Sequence, residues 1–365
     1  MNKDKQISVL YFGSYSLNNS RNAILMRGLK ENGVRILECN DHSKFYILKY
    51  IKLLFKYLKY IGKFDVMVVG FAGQEMMPLA RVLTRKPIFF DVFTSHYMGY
   101  ILDRKYFSPQ SLRAKYYHFI DKFSCWLADI VILDTQAHIE YFIKEFNIPR
   151  GKLIKVPLGA NSELFRPHPH LKGQDKGFRV VFWGTFIPLQ GIKYIIEAAK
   201  LLDGDGVDIF IIGNGGQTYE HDKKYADELK LNNLHFLGRL LPGKMEAGEL
   251  NRQIAMADVC LGCFGESIKT DVTIQNKIFE TLASSKALLT ARTTALQELL
   301  VDGKHCLMCR AADTKDLADK ITILKNDTIL RNSISEEGYK FFVGNLLERK
   351  LGSIVLGAIQ QMIKT

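Results

Sequence analysis

Apolar positions in the first half of this 365-residue chain fall into short runs separated by stretches of helical period. Ile7 to Phe12 is one such run, stopped by Gly13, and it reads as a buried first strand. After the polar loop Ser14 to Ser20, the spacing predicts a helix from about Arg21 to Asn32, ended at Gly33. Val34 to Leu37, Val66 to Val69, Pro87 to Phe90 and Ile130 to Leu133 predict further strands, and Lys152 to Pro157 closes the series. From Gly159 to Gly177 the rhythm breaks; Arg166-Pro-His-Pro-His170 and Lys172-Gly-Gln-Asp-Lys-Gly177 exclude regular structure and predict a linker. The pattern then restarts. Arg179 to Trp183, Asp208 to Ile212, Leu234 to Leu237, Val259 to Cys263, Ala287 to Thr290 and Cys306 to Cys309 predict strands, with helices over about Ile192 to Leu202 and Gln275 to Ser284.

Strands alternating with helices imply parallel sheets covered on both faces. The chain therefore reads as α/β, with two doubly wound units in tandem. The expected division is 1–160, a linker at 161–177, 178–342, and a C-terminal helix over 343–365 that packs back on the first domain. In such sheets ligands bind beyond the carboxyl ends of the strands, which points to a cleft between the domains.

One segment departs from the alternation. Lys44 to Lys63 holds six lysines and no acidic residue. Lys49, Lys52, Lys56, Lys59 and Lys63 fall within an arc of about 80° on a helical wheel. Ile47, Leu48, Ile51, Leu54, Phe55, Leu58 and Ile61 cover most of the remainder, with Tyr46, Tyr50, Tyr57 and Tyr60 interleaved. This is the pattern of a helix lying in an anionic membrane surface, with Lys49, Lys52, Lys56 and Lys59 as its contacts. The competing reading is a domain helix whose apolar face packs on the sheet while its lysines are solvated.

Composition agrees with a folded protein, at 47% hydrophobic and 24% charged residues. The net charge of +12 calls for an anionic partner, but no nucleic-acid motif accompanies the basic stripe. Met1 to Gln6 carry charge and lead straight to a strand without a signal-peptide core, and Lys or Gly interrupts every long apolar run. The expected place is the cytoplasm, peripheral on the inner membrane face. Cys260 and Cys263, like Cys306 and Cys309, have zinc-knuckle spacing, but both pairs sit in predicted strands, where residues three apart point to opposite faces. Core cysteines are expected, and no metal.

The chemistry concentrates in the second half. Val181-Phe-Trp-Gly184 leads through a loop to Gly191 and a helix, so backbone N–H groups can face an anion. Gly213-Asn-Gly-Gly216 follows a strand but lacks the dinucleotide fingerprint, since position 218 is Thr, which argues against a dehydrogenase. Asn276, Lys277 and Glu280 lie near a helix start, where a cation suits a diphosphate and a carboxylate can accept from both hydroxyls of a ribose.

These pieces together resemble glycosyltransferase family 4, the retaining GT-B enzymes. The resemblance runs from Arg179 to about Leu324. It is carried by the Phe182–Ala199 loop and helix, Gly213 to Gly216, Phe236-Leu-Gly238, Ala257-Asp258, Lys277-Ile-Phe-Glu-Thr-Leu-Ala283, Glu298 with Val301-Asp-Gly303, and Asp316-Leu-Ala318. The first half resembles the family through Gly13 and its loop, Ala128-Asp129 and Val156-Pro-Leu-Gly-Ala160 with Phe165. The resemblance implies two Rossmann-like domains facing a cleft, a nucleotide-sugar donor on the second, the acceptor mainly on the first, and no metal. It implies that Glu280 holds the donor ribose, that Gly184, Thr185 and Gly191 line the diphosphate, and that Gly213 and Asn214 lie near the nucleotide. Arg239 follows the strand leading to the base, Gly13 and Ser14 approach from the first domain, and His96 contacts the sugar.

Three positions depart from the family. Val272 stands where a first Glu is usual, and Thr185 and Gln190 replace an Arg and a Lys. Lys277, Lys269, Lys193 and Arg292 are the basic residues that could substitute, Lys277 foremost, with Asn276 beside it. The expectation is transfer of a hexosyl group to a lipid-linked or surface-glycan acceptor, with His96, Lys277 and Glu280 at its centre. The alternatives are a GT-B epimerase or phosphorylase and a non-catalytic nucleotide-sugar-binding partner.

Overall fold

The computed structural model describes residues 6–17, 20–168, 177–240 and 250–364. It divides into two compact units, one of Met1–Gly159 with Leu346–Thr365, the other of Ala160–Asn345. The expected linker residues 169–176 lie outside the described residues.

In the first unit β1 (Ser8–Gly13), β2 (Arg35–Asn40), β3 (Val66–Val69), β4 (Ile88–Asp91), β5 (Ile130–Leu133) and β6 (Leu153–Lys155) form a parallel sheet in the order β2-β1-β3-β4-β5-β6. The chain reverses its direction of travel across the sheet between β1 and β3. Helices α1 (Ser20–Glu31), α2 (Tyr46–Leu58), α3 (Met77–Leu83), α4 (Leu112–Leu127) and α5 (Gln136–Phe146) connect the strands. Continuous apolar strands such as Val66-Met-Val-Val69 are buried throughout because helices cover both sides.

The second unit repeats the plan. Its strands are β7 (Phe178–Trp183), β8 (Val207–Ile212), β9 (Leu234–Phe236), β10 (Val259–Leu261), β11 (Ala287–Ala291) and β12 (Leu307–Cys309), in the order β12-β11-β10-β7-β8-β9, all parallel. Here the reversal falls between β7 and β10. Helices α6 (Ile192–Leu201), α7 (Tyr219–Leu229), α8 (Leu250–Met256), α9 (Ile268–Val272), α10 (Asn276–Ala283), α11 (Thr294–Gln297), α12 (Thr314–Asn326) and α13 (Thr328–Asn345) follow. The tandem doubly wound sheets expected from the alternation are present, with strand ends moved by at most three residues.

The last helix, α14 (Glu348–Lys364), lies against α1 in the first unit. Glycines make that contact close: a Cβ on Gly28 would sit 2.1 Å from the Glu348 carbonyl oxygen. Asn32 Nδ2 donates to the Arg349 carbonyl at 2.7 Å, and Arg27 lies 3.5 Å from Glu348.

Helix α2 is shorter than the 44–63 stretch expected. Phe45 is extended, and after Leu58 the chain tightens into turns that end at Gly62 with φ of +77°. Its orientation differs from the competing reading above. Leu53 and Tyr57 are its buried residues. The tyrosine stripe docks it, through Tyr50 to the Glu75 carbonyl, Tyr57 to that of Leu83, and Tyr60, just past its end, to that of Glu38. The stripe of Ile, Leu and Phe faces outward, with Ile47 77% and Phe55 64% exposed. The lysines flank it; Lys56 donates to the Asn40 carbonyl and to Asp41 at 3.0 Å, and Lys52 to Ser43.

Candidate functional site

The carboxyl ends of β7, β8 and β10 meet at the reversal point of the second sheet. Strand β7 ends in Trp183, and Gly184 follows with φ of +155°. Gly184 N–H donates to the Ile212 carbonyl at 3.0 Å, and Phe186 N–H to that of Gly215 at 3.1 Å, so the loops after β7 and β8 lie one on the other. The approach tolerates no side chain: a Cβ on Gly213 would stand 2.1 Å from the Gly184 oxygen. Gly191, in the left-handed region at φ of +65°, then starts α6. Phe264 and Gly265 N–H groups after β10 donate to the carbonyls of Gln190 and Leu189, both at 3.1 Å, which binds this turn to β10.

Helix α10 adds the charged groups. Lys277, in its first turn, is buried at 4% exposure. Its Nζ stands 3.5 Å from the Phe182 ring centroid and donates to Gln190 Oε1 at 2.5 Å. The same oxygen accepts from Cys263 Sγ at 3.1 Å. Lys277 Nζ also lies beside Gly184, 3.1 Å from where a Cβ would be. Burial pulls the Lys277 ammonium down to about 8, against the opposing pull of Cys263 and Glu280. One helical turn on, Glu280 Oε2 accepts from Trp183 Nε1 at 2.7 Å. Burial pushes the Glu280 carboxyl up to about 7, opposed by the indole hydrogen bond and the nearby ammonium.

A cation and a carboxylate are thus held at fixed positions beside a glycine-lined turn. The cation can meet an anion approaching Gly184, and the carboxylate keeps lone pairs for hydroxyl donors. Gly184, Gln190, Gly191, Gly213, Lys277 and Glu280 come together here. Thr185 and Asn214 lie exposed on the adjoining loops, and Asn276 opens α10, half-buried. Arg239 is exposed just after β9, and its loop runs into residues outside those described. Lys269 is half-buried on α9. Of the other substitute cations, Arg292 is paired with Asp302 and Lys193 is exposed over the Tyr194 ring. Sequence reasoning missed Trp183 and Phe182; an aromatic pair directly before the strand-end glycine was the available signal.

In the first unit, Gly13 ends β1 at φ of +135° and Ser14 follows it. His96 follows β4. Its ring stacks on Tyr100 at 5.6 Å, and Nε2 lies 3.4 Å from Glu75 Oε1. Burial pushes the Glu75 carboxyl up, but the His96 hydrogen bond and charge outweigh it and hold the group below its usual range. Buried Asp121 of α4 fixes this loop, accepting from Ser95 Oγ and from the N–H groups of His96 and Tyr97. A buried pair that no sequence pattern marked, Arg21 with Asp91 at 2.9 Å, ties α1 to β4 and caps the carbonyls of Val156 and Pro157.

All six cysteines are buried and free. Among the described residues no group of three His, Cys, Asp or Glu is arranged for a metal ion. Nor is any described helix long and apolar enough to cross a membrane.

Residues 177–327, which hold this cluster, match the family described as Glycosyl transferases group 1. An uncharacterized glycosyltransferase of Methanocaldococcus jannaschii is 26% identical over 192 residues, 53% of this chain and 49% of the relative, so the chain spans about half the length of the curated relative it matches. Among solved structures, HepE of Anabaena in complex with UDP-glucose aligns over 98% of this chain and 100% of that one, at 15% identity and a TM-score of 0.72. A sucrose-phosphate synthase of Thermosynechococcus elongatus aligns over 98% and 99%, at 13% identity and a TM-score of 0.72. The fold is therefore the GT-B fold of two Rossmann-like domains.

Proposed function

We propose that this chain moves a sugar, with retention, from a nucleotide-sugar donor to a lipid-linked or surface-glycan acceptor at the inner face of a membrane. The observation that carries the reading is the pairing of Lys277 with Gln190 and Glu280 with Trp183 at the reversal point of the second sheet, inside the segment that matches the transferase family. Lys277 faces the donor diphosphate past Gly184 and neutralises charge as it leaves. Glu280, oriented by Trp183, accepts from the ribose hydroxyls. The start of α6 at Gly191 adds backbone N–H groups to the anion. Such fixed dipoles and one cation stabilise the leaving diphosphate and an oxocarbenium-like sugar by preorganisation, without a resident metal. In the first unit His96, held by Glu75, Tyr100 and Asp121, contacts the sugar, with Gly13 and Ser14 at the same strand ends.

The membrane part rests on α2, whose lysines flank an aliphatic stripe turned outward. Lys56 is engaged with Asp41, so its replacement would mix folding with surface charge. Glu substitutions at Lys49, Lys52 and Lys59 are the cleaner variant. They should release the protein from vesicles containing phosphatidylglycerol, and unchanged sedimentation would remove the membrane from the reading.

Calorimetry of UDP, GDP, ADP and their common sugar conjugates tests the donor site, with and without Glu280→Ala. Tight binding of one nucleotide, lost in the variant, is expected; HepE, one of the structural neighbours, was solved with UDP and with UDP-glucose, so UDP comes first. A second reading, a donor-binding protein without turnover, is favoured by Thr185 and Gln190 standing where the resembling family carries cations. Donor binding with no sugar release or transfer in the presence of membrane glycolipids would select it.

A further inference from the structure

Helix α4 carries a second outward apolar stripe. Leu112, Tyr116, Phe119, Phe123 and Trp126 recur at spacings of four and three, which places them along one line of the helix. The buried residues, Ala114, Ile120, Asp121, Ser124 and Cys125, occupy the opposite side. Leu112 is 82% exposed, Phe119 57% and Trp126 67%. The three rings at its end are stacked, Phe119 on Phe123 at 5.3 Å and Phe123 on Trp126 at 6.0 Å. Behind them, between α4 and the segment after α5, opens a cavity of about 470 Å³. Phe146, Ile148 and Pro149 also line it, as do Lys122 and Lys152, whose Nζ donates to the carbonyls of Trp126 and Ala128 at 2.9 and 2.7 Å. That volume lies within the range of small-molecule sites, roughly 300–1,000 Å³.

Charge argues for what occupies it. Residues 1–159 and 346–365 carry 27 Lys and Arg against 14 Asp and Glu, whereas residues 160–345 carry 23 against 24. The excess positive charge of the chain thus resides in the first unit. Neither α2 nor α4 presents an exposed carboxylate, since α2 has none and Asp121 of α4 is buried. Helix α3 packs against both and adds Val82 at 84% exposure. Apolar residues, interfacial aromatics and lysines with no exposed acid on α2 or α4 suit an anionic lipid surface better than an acidic or amphipathic protein segment.

We propose that the cavity behind Phe119, Phe123 and Trp126 takes one hydrocarbon chain of a bilayer phospholipid, with Lys122 and Lys152 beside its phosphate. This rests on the membrane reading above and adds to it a defined site on a different helix. Trp126 supplies the probe. The chain has two tryptophans, and the other, Trp183, is buried in the second unit.

The full chain is titrated with a lysophospholipid brominated along its acyl chain, below its critical micelle concentration, with tryptophan emission as the readout. The expected result is a blue shift and saturable quenching at one lipid per protein. Phe123→Lys should abolish both, with unchanged circular dichroism. Phe119→Lys, at a more exposed position, serves if the first variant does not fold. Quenching that never saturates, no quenching, or full quenching in the folded variants overturns the proposal. So does a concentration-dependent dimer in which Trp126 is already shielded without lipid, since a second copy would then cover the stripe. Displacement by polyprenyl phosphate, with no effect of phosphatidylglycerol, would overturn the assignment to a bilayer lipid in favour of the acceptor's carrier. The titration needs neither vesicle binding nor turnover. Failure of the Lys49, Lys52 and Lys59 variant or of the donor panel is therefore read separately.

Discussion

Donor affinity should depend on pH through two groups of opposite sign. In the free protein, burial holds the Glu280 carboxyl near 7 and the Lys277 ammonium near 8. The proposed complex needs Glu280 ionised, to accept from the ribose, and Lys277 charged, to face the diphosphate. Apparent affinity scales with the fraction of protein in that state. That fraction peaks near pH 7.5, and affinity should be about sixfold weaker at both pH 6 and pH 9. Calorimetry with a nucleotide-sugar reads this cleanly, because its diphosphate keeps a constant charge across the window. Glu280→Gln should bind more weakly and lose the acid limb, staying flat from pH 6 to 7.5. Lys277→Met should lose the alkaline limb. A wild-type affinity constant from pH 5.5 to 7.5, or a Glu280→Gln variant that keeps the sixfold fall, would refute the assignment of the carboxylate to the ribose.

The same carboxylate costs stability. With a folded value near 7 against an ordinary 4.5, it destabilises the free protein by about 3 kcal/mol as pH rises through that interval. Without nucleotide, Glu280→Gln should raise the Tm at pH 8, less the weakening of the indole bond once its acceptor is neutral, and the difference should vanish near pH 4.5. Gly213→Ala adds a Cβ 2.1 Å from the Gly184 oxygen at a φ of +147°, so thermal unfolding should show a loss of about 3 kcal/mol or more. At the α1–α14 contact, Gly352→Leu would drive a side chain into the Gly28 backbone, and limited proteolysis should cut α14 faster than in wild type. Equal cleavage rates would show that this helix is held by something other than the glycine contact.

Much of the fold was legible because buried parallel strands write themselves as short apolar runs ending at glycine. Val66-Met-Val-Val69 and Val180 to Trp183 are covered on both faces, so no polar residue interrupts them. Strand ends were less legible, since the last residues of β2 and β4, Asn40 and Asp91, are polar groups recruited into strands by their neighbours. In the candidate site, Lys277 and Glu280 stood out as neighbours on one helix face. Gln190 was also expected near the donor, but the pairings were not legible: Gln190 is 87 residues from Lys277, and Trp183 is 97 from Glu280. A buried ammonium needs a local acceptor and a half-buried carboxylate a local donor, but sequence has no term for which distant strand end supplies them.

Helix α2 separates the two sources most clearly. Period alone determined that three stripes exist, one of lysine, one aliphatic and one of tyrosine, because 100° per residue sorts them whatever the surroundings. Which stripe touches the protein was a tertiary decision. The carbonyls of Glu75, Leu83 and Glu38 lie within reach of three phenols, and tyrosine alone among the apolar candidates can both fill that surface and satisfy those acceptors. Of the aliphatic residues only Leu53, which shares the tyrosine side, goes inward; the stripe of Ile47, Leu48, Ile51, Leu54 and Leu58 was left outside because the docking surface already asked for hydrogen bonds.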